Sequence, residues 1–249
     1  MFRILLTRLK QKYRTSSFPK TETVLPKHFR GLPRIDSSCS LTTEDLAVCP
    51  TKALMMESGQ AKIDLGRCIF CKKCEHASKG QIHFSNDYRL AVRKRGDLLL
   101  SQDGLRLAEA LSQKMNRLFG RSLRLRQVSA GGCNGCEADC QVLSTLVFDI
   151  SRFGIQFVAS PRHADGLLVT GPVTRNMKLA LEKTYAAVAE PKIVIATGAC
   201  AISGGPYIDL PDQLNGVDQV LPVDLYIPGC PPHPYTILDG LLRLLNRRS

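Results

Sequence analysis

From residue 123 onward the chain alternates short runs of aliphatic and β-branched residues with stretches of helical periodicity. Residues 123–128, 154–159, 166–170, 192–196 and 220–226 read as strands, and 137–152, 174–188 and 234–247 as helices. Alternation of this kind predicts an α/β domain with a mostly parallel sheet covered on both faces, whose functional groups gather in loops at the carboxyl ends of the strands. Upstream, Leu107, Leu111, Met115 and Leu118 recur at helical spacing and predict an amphipathic helix within 101–119. Before that, between residues 35 and 92, the segments are short and interrupted by polar turns.

At 249 residues the chain exceeds the usual size of one domain, which suggests two compact units with separate cores. Its 44% hydrophobic and 22% charged content is that of a soluble globular protein. The formal charge of +12 is uneven: residues 1–34 form a basic arm with nine Lys or Arg and the single acid Glu22. The arm suits an anionic membrane surface, an acidic partner, or a solvated terminus. Nucleic acid is a poorer fit, because Trp is absent and no aromatic residues interleave with the basic ones. No apolar run approaches the roughly 20 residues of a membrane span. Arg3, Arg8 and Lys10 also interrupt the opening apolar stretch, so it makes a poor signal peptide.

Ten cysteines then change the picture. Cys68, Cys71 and Cys74 follow one another at two-residue gaps, so one tight loop can aim three thiolates at three corners of a cube. In two-cluster ferredoxins the fourth ligand comes from the Cys-Pro of the other motif, and Cys49-Pro50 lies upstream. Zinc is the alternative, but it favours two separated Cys-x-x-Cys pairs. The stretch 35–90 resembles the bacterial ferredoxin family, down to Cys49-Pro-Thr-Lys-Ala-Leu and Ile63-Asp-Leu-Gly-Arg. At the three leading positions of that family's first motif stand Cys39, Thr42 and Asp45, and at the last position of the second stands Ser78. The resemblance therefore implies one cluster in this segment, ligated by Cys49, Cys68, Cys71 and Cys74, with Cys39 a packed thiol.

The remaining cysteines sit where the predicted strands end. The first strand runs into Gly131-Gly132-Cys133-Asn-Gly-Cys136, the fourth into Gly198-Ala-Cys200, and the fifth into Pro228-Gly-Cys230-Pro-Pro, so four thiolates meet at one sheet edge. Gly135, Gly198, Gly204, Gly205 and Gly229 lie beside them, as turn residues or as sites where backbone N–H groups reach cluster sulfurs. No Gly-x-Gly-x-x-Gly follows a strand, so a dinucleotide site is not supported.

Residues 120–248 resemble the small subunit of group 4, energy-converting [NiFe] hydrogenases of the formate hydrogenlyase type, which is similar to the 20 kDa subunit of complex I. The motifs are Gly131-Gly-Cys-Asn-Gly-Cys-Glu137, Phe153-Gly-Ile, Ser160-Pro-Arg-His-Ala-Asp165, Gly171-Pro-Val-Thr-Arg175, Gly198-Ala-Cys200-Ala-Ile-Ser-Gly-Gly205 and Val223-Asp-Leu-Tyr-Ile-Pro-Gly-Cys-Pro-Pro232. This resemblance implies a flavodoxin-like domain over 121–249, joined by a linker at 93–120 to the ferredoxin-like domain at 35–92. It makes Cys133, Cys136, Cys200 and Cys230 the ligands of the proximal cluster beside a large subunit. Complex I members have adjacent cysteines at the first position, so the gap between Cys133 and Cys136 leans toward the hydrogenases.

The implied function is one-electron transfer through two [4Fe-4S] clusters to or from the [NiFe] centre of the large subunit, with no catalytic residue in this chain. The implied partners are that large subunit and other ferredoxin-type and membrane subunits. The implied location is the cytoplasm, peripheral on the membrane through those partners. A complex I-like, nickel-free or quinone-linked role is the first alternative, and a structural adaptor is the second. Cys140 reads as a core thiol. Arg162 and His163 face a cluster or the large subunit, or pair with Asp165, and Glu137 and Asp139 relay protons or serve the helix dipole.

Overall fold

The computed structural model describes residues 2–21, 23–37, 39–57, 59–119 and 122–247. Met1 and Glu22 of the basic arm, and Ser38, Ser58, Gly120, Arg121, Arg248 and Ser249, lie outside these described residues. Five strands, β6 (Leu123–Ser129), β7 (Ile155–Phe157), β8 (Gly166–Thr170), β9 (Ile193–Thr197) and β10 (Leu225–Ile227), form one parallel sheet in the order β10-β9-β8-β6-β7. Numbered within the sheet this is 2-1-3-4-5, the flavodoxin-like order. The central strands β8 and β9 are buried at every position, because helices cover both faces. These helices are α5 (Gly135–Val142), α6 (Arg175–Ala187), α7 (Ala199–Ser203) and α8 (Pro234–Leu244).

Before the sheet come α1 (Phe2–Gln11), α2 (Thr43–Ala47), α3 (Lys73–Ala77) and α4 (Gln113–Phe119), with five short strands. β1 (Pro33–Ile35) pairs antiparallel with β4 (Ile82–Phe84), while β2 (Leu54–Glu57), β3 (Gln60–Asp64) and β5 (Leu99–Leu100) form a second antiparallel sheet. These two small sheets frame the first cysteine group.

The 35–92 segment does not keep a core to itself. One cluster of buried side chains runs from Leu54, Ile63 and Leu98 through Val128, Leu167 and Val194 to Ile202, joining it to one face of the large sheet. Polar contacts reinforce the joint. Val92 and Tyr226 exchange both backbone hydrogen bonds (3.0 and 2.9 Å), adding a bridge beside β10. Arg93 Nε donates to the Asp224 carbonyl at 2.6 Å. The Arg95 guanidinium donates twice to the Asp64 carboxylate, at 2.9 and 2.7 Å.

Three helical expectations are shortened. Of 101–119 only Gln113–Phe119 is helical, and Leu111 is buried on an extended approach where its N–H donates to the Leu244 carbonyl. Of 137–152 the helix stops at Val142, and a turn leads into a short 3₁₀ segment at Ile150–Phe153, where Asp149 takes a left-handed φ of 42°. The last helix ends at Leu244 rather than 247. The strand expected at 220–226 forms only at Leu225–Ile227, preceded by a 3₁₀ turn at Val217–Gln219.

Candidate cluster sites

Two thiol quartets are held by different means. In the first, Cys49 follows α2, while Cys68, Cys71 and Cys74 come from the loop after β3 and the start of α3. All four line one pocket, walled by Ile63, Leu54 and Phe84. Left-handed backbone at Phe70 (φ 53°) and Lys72 (φ 67°) coils the loop so that alternate side chains turn inward. Two backbone N–H groups point at sulfur: Ala53 donates to Cys49 Sγ at 3.2 Å and Phe70 to Cys68 Sγ at 3.4 Å. Burial raises the Cys68 thiol pKa, as do the nearby thiols of Cys74, Cys49 and Cys71, while the Phe70 N–H opposes the rise. Burial and the same crowding push Cys74 up to about 11. Four thiolates do not gather in so dry a site without a cation to neutralise them. An iron–sulfur core supplies that charge, so the donor set and the N–H groups aimed at sulfur fit it.

The second quartet is assembled by the large sheet. Cys133 and Cys136 follow β6, Cys200 lies in α7 just after β9, and Cys230 follows β10, so three strand ends deliver four thiols. Burial pushes the Cys200 thiol up to about 12, with Cys230 and Cys133 adding to the rise. Cys136 is raised by burial first and then by Cys200, with Cys230 among the further causes. Cys133 and Cys230 are exposed whereas Cys200 is buried, so the site is sealed on the sheet side and open outward. Gly198 has a φ of +93°, and a Cβ there would lie 2.5 Å from Cys136 Sγ. Only glycine leaves that sulfur its place. This steric requirement and the thiol set fit a sulfur-ligated cluster.

The structure sorts the neighbouring residues. The Gly198 N–H donates to the Ile227 carbonyl (2.8 Å) and the Gly204 N–H to the Cys200 carbonyl (2.9 Å), so neither N–H is aimed at sulfur, and Gly198 alone of the two gives the site space. Glu137 is buried, and its Oε1 accepts from Ser129 Oγ at 2.6 Å and Thr170 Oγ1 at 2.7 Å. It therefore ties α5 to the ends of β6 and β8 directly beneath the cysteine loop. Ser129 and Thr170 carry no motif that marks them in the sequence, and only the register that brings both strand ends to Glu137 reveals them. Asp139, its carboxyl pKa raised by burial, lines a cleft beside Cys230. Cys140 is fully buried among the core side chains and Cys39 is 5% exposed. Among the described residues no ion pair joins Arg162 or His163 to Asp165, whose carboxylate accepts instead from the Arg124 N–H at 2.7 Å.

That cleft, of about 310 Å³, brings the first cysteine loop against the second site: Ile69 and Phe70, between Cys68 and Cys71, line one side, and Cys230, Pro231 and His233 the other. Arg30 Nη1 donates to the Phe70 carbonyl at 2.9 Å, and Phe29 meets the His233 ring edge-on with centroids 5.3 Å apart. Beneath the cleft, Ser203 Oγ in α7 donates to the Gly66 carbonyl at 2.8 Å, linking the first cysteine loop to the helix that carries Cys200. Among the described residues no three His, Cys, Asp or Glu side chains close tightly enough to hold a single metal ion.

Similarity to known proteins settles the family. Residues 133–244 match the model of the NADH ubiquinone oxidoreductase 20 kDa subunit family. The chain is 41% identical over 142 residues to the "probable membrane-bound hydrogenase subunit mbhJ" of Pyrococcus furiosus, a match covering 57% of this chain and 84% of that one. The chain belongs to this family. It is also 47% identical to formate hydrogenlyase subunit 7 of Escherichia coli over 51% of its own length and 49% of that protein's. To an NADH-quinone oxidoreductase subunit of Phocaeicola vulgatus it is 46% identical, over 52% of its length and 65% of the relative's. The chain thus spans about half to two thirds of the latter two. All these matches fall within proteins named as subunits of oxidoreductases, and family membership implies an iron–sulfur cluster.

Proposed function

We propose that this chain is the electron-transfer subunit of a membrane-associated multisubunit oxidoreductase. It holds two [4Fe-4S] clusters, one on Cys49, Cys68, Cys71 and Cys74 and the other on Cys133, Cys136, Cys200 and Cys230, and exchanges electrons with a [NiFe] large subunit. The observation that carries this reading is that the loop bearing Cys68 and Cys71 meets the second site at one cleft, with Phe70 of that loop and Cys230 on its walls. Each cluster, when bound, accepts and releases one electron.

The chain's own residues do the rest. Leu54, Ile63 and Phe84 keep water from the first site, and the Ala53 and Phe70 N–H groups stabilise charge on Cys49 and Cys68. The Ser203–Gly66 hydrogen bond and the shared core fix the two sites relative to each other, which keeps the geometry constant from one transfer to the next. Cys133 and Cys230 open the second site to the surface, where the large subunit would seat and provide the catalytic centre. The two-residue gap between Cys133 and Cys136 supports the hydrogenase branch of the family.

Anaerobic purification followed by iron and acid-labile sulfide analysis tests this directly. About eight irons per chain are expected from two cubanes, falling to about four in Cys71→Ala. A wild-type count near four, or zinc in place of iron, removes one of the two proposed sites.

A further inference from the structure

The helix α1 carries an apolar stripe that the protein leaves uncovered. On a 3.6-residue period Phe2, Leu5, Leu6 and Leu9 share one face. These four are 74, 59, 43 and 74% exposed, whereas Arg3, Ile4, Thr7, Arg8 and Gln11, with Lys12 and Tyr13 just beyond the helix, line the cleft between α1 and Leu146 of the body. The helix therefore turns its more polar side toward its own protein and its leucines outward, the reverse of a helix that docks on a core.

Its base is fixed in place. Ser16 N–H donates to the Val147 carbonyl at 2.8 Å, and Arg152 donates to the Ser16 and Phe18 carbonyls at 2.6 and 3.0 Å. The Phe18 ring is buried against Tyr88 and Tyr235. Beside that anchor Leu146 and Val147 are 65 and 46% exposed, which adds apolar surface at the foot of the helix.

The charge identifies the occupant. Lys10 lies along one edge of the stripe, Arg3 and Lys12 are exposed near its two ends, and the first acid in the sequence is Glu22. A stripe of large apolar side chains rimmed by long cationic ones, with no acid in its first turn, matches the boundary between headgroups and acyl chains of an anionic bilayer, where apolar area and surface charge act together. We infer that α1 lies in the surface of an anionic membrane, with Phe2, Leu5, Leu6 and Leu9 in the acyl boundary and Arg3, Lys10 and Lys12 at the phosphates. The chain thereby makes its own lipid contact in addition to any made by its partners.

The chain contains no Trp, so Phe2→Trp provides a single tryptophan at the start of the stripe. In the cluster-loaded full chain, flotation with phosphatidylcholine vesicles containing phosphatidylglycerol is expected to carry the protein upward at low salt and to shift the emission of the introduced indole to the blue. Leu5→Glu/Leu9→Glu is expected to weaken binding at least about tenfold through lost apolar burial. Removing the charges in Arg3→Gln/Lys10→Gln/Lys12→Gln is expected to weaken it by about a hundredfold, roughly fivefold per residue. Unchanged cluster absorption shows that each variant is folded. Binding of the leucine variant equal to wild type overturns the inference, as does wild type left in the aqueous fraction. An emission shift produced by an acidic partner protein and not by vesicles overturns it too, assigning the stripe to a protein groove.

Discussion

Glu137 shows how one residue beside the cysteines serves their placement. Its carboxylate is buried and takes both of its side-chain hydrogen bonds from hydroxyls at the ends of β6 and β8. Glu137→Ala leaves Ser129 and Thr170 without this acceptor, and urea unfolding is expected to show a loss of about 1–3 kcal/mol. Glu137→Gln keeps an acceptor oxygen and is expected to lose less; equal losses would contradict the hydrogen-bonding role. Gly198→Ala is a sharper case, because the new methyl crowds the place of Cys136 Sγ. The variant is expected to retain about four irons with its first site intact. A full complement would show that Cys136 is not held where the structure puts it. The cysteines themselves are legible in the sequence because thiol spacing is a local property. The Ser129–Glu137–Thr170 tie is not, since residues 129 and 170 meet only through the parallel register of two strands.

Among the elements, α2 supplies the approach to Cys49 and is closed by a capping box. Asp45 accepts from the backbone N–H and the hydroxyl of Thr42 (both 2.8 Å), and these bonds hold its carboxyl below the ordinary 3.8. A lowered carboxylate pKa in the folded state means that the cap's contribution is present above the unfolded value and is lost as pH falls through the folded one. Following the Asp45 carboxyl by NMR is expected to give a midpoint below 3.8 that rises in Thr42→Ala; an unmoved midpoint would contradict the cap. The central strands make a heavier contribution. Leu168 in β8 is fully buried, and Leu168→Ala is expected to cost about 2–5 kcal/mol in denaturant unfolding. All five sheet strands can be read from their aliphatic runs, whereas α7 cannot, because five residues are too few to show a helical period. The helix expected at 137–152 fails for a related reason: Leu146 and Val147 continue an apolar pattern, but they face outward beside the foot of α1 rather than into the core.

Across the whole molecule, the cysteine-rich segment is seated on the sheet through a shared core. The sequence suggests separate cores, because the apolar residues that join the parts, Leu98 and Ile202 among them, lie more than 100 positions apart and nothing local marks them as neighbours. The Ser203 hydroxyl closes this joint by donating to the Gly66 carbonyl at 2.8 Å, and the Gly66 N–H is held in turn by the Asp64 carboxylate at 2.9 Å. It is this joint that sets the first cysteine loop, through Ile69 and Phe70, against the cleft that Cys230 lines.

Electron paramagnetic resonance of the fully reduced chain tests that arrangement most directly. Two cubane signals broadened by mutual spin interaction are expected, with Cys71→Ala removing one and narrowing the other. A single signal in the wild type, or loss of both signals in a folded Cys71→Ala protein, would contradict two clusters held side by side in this chain.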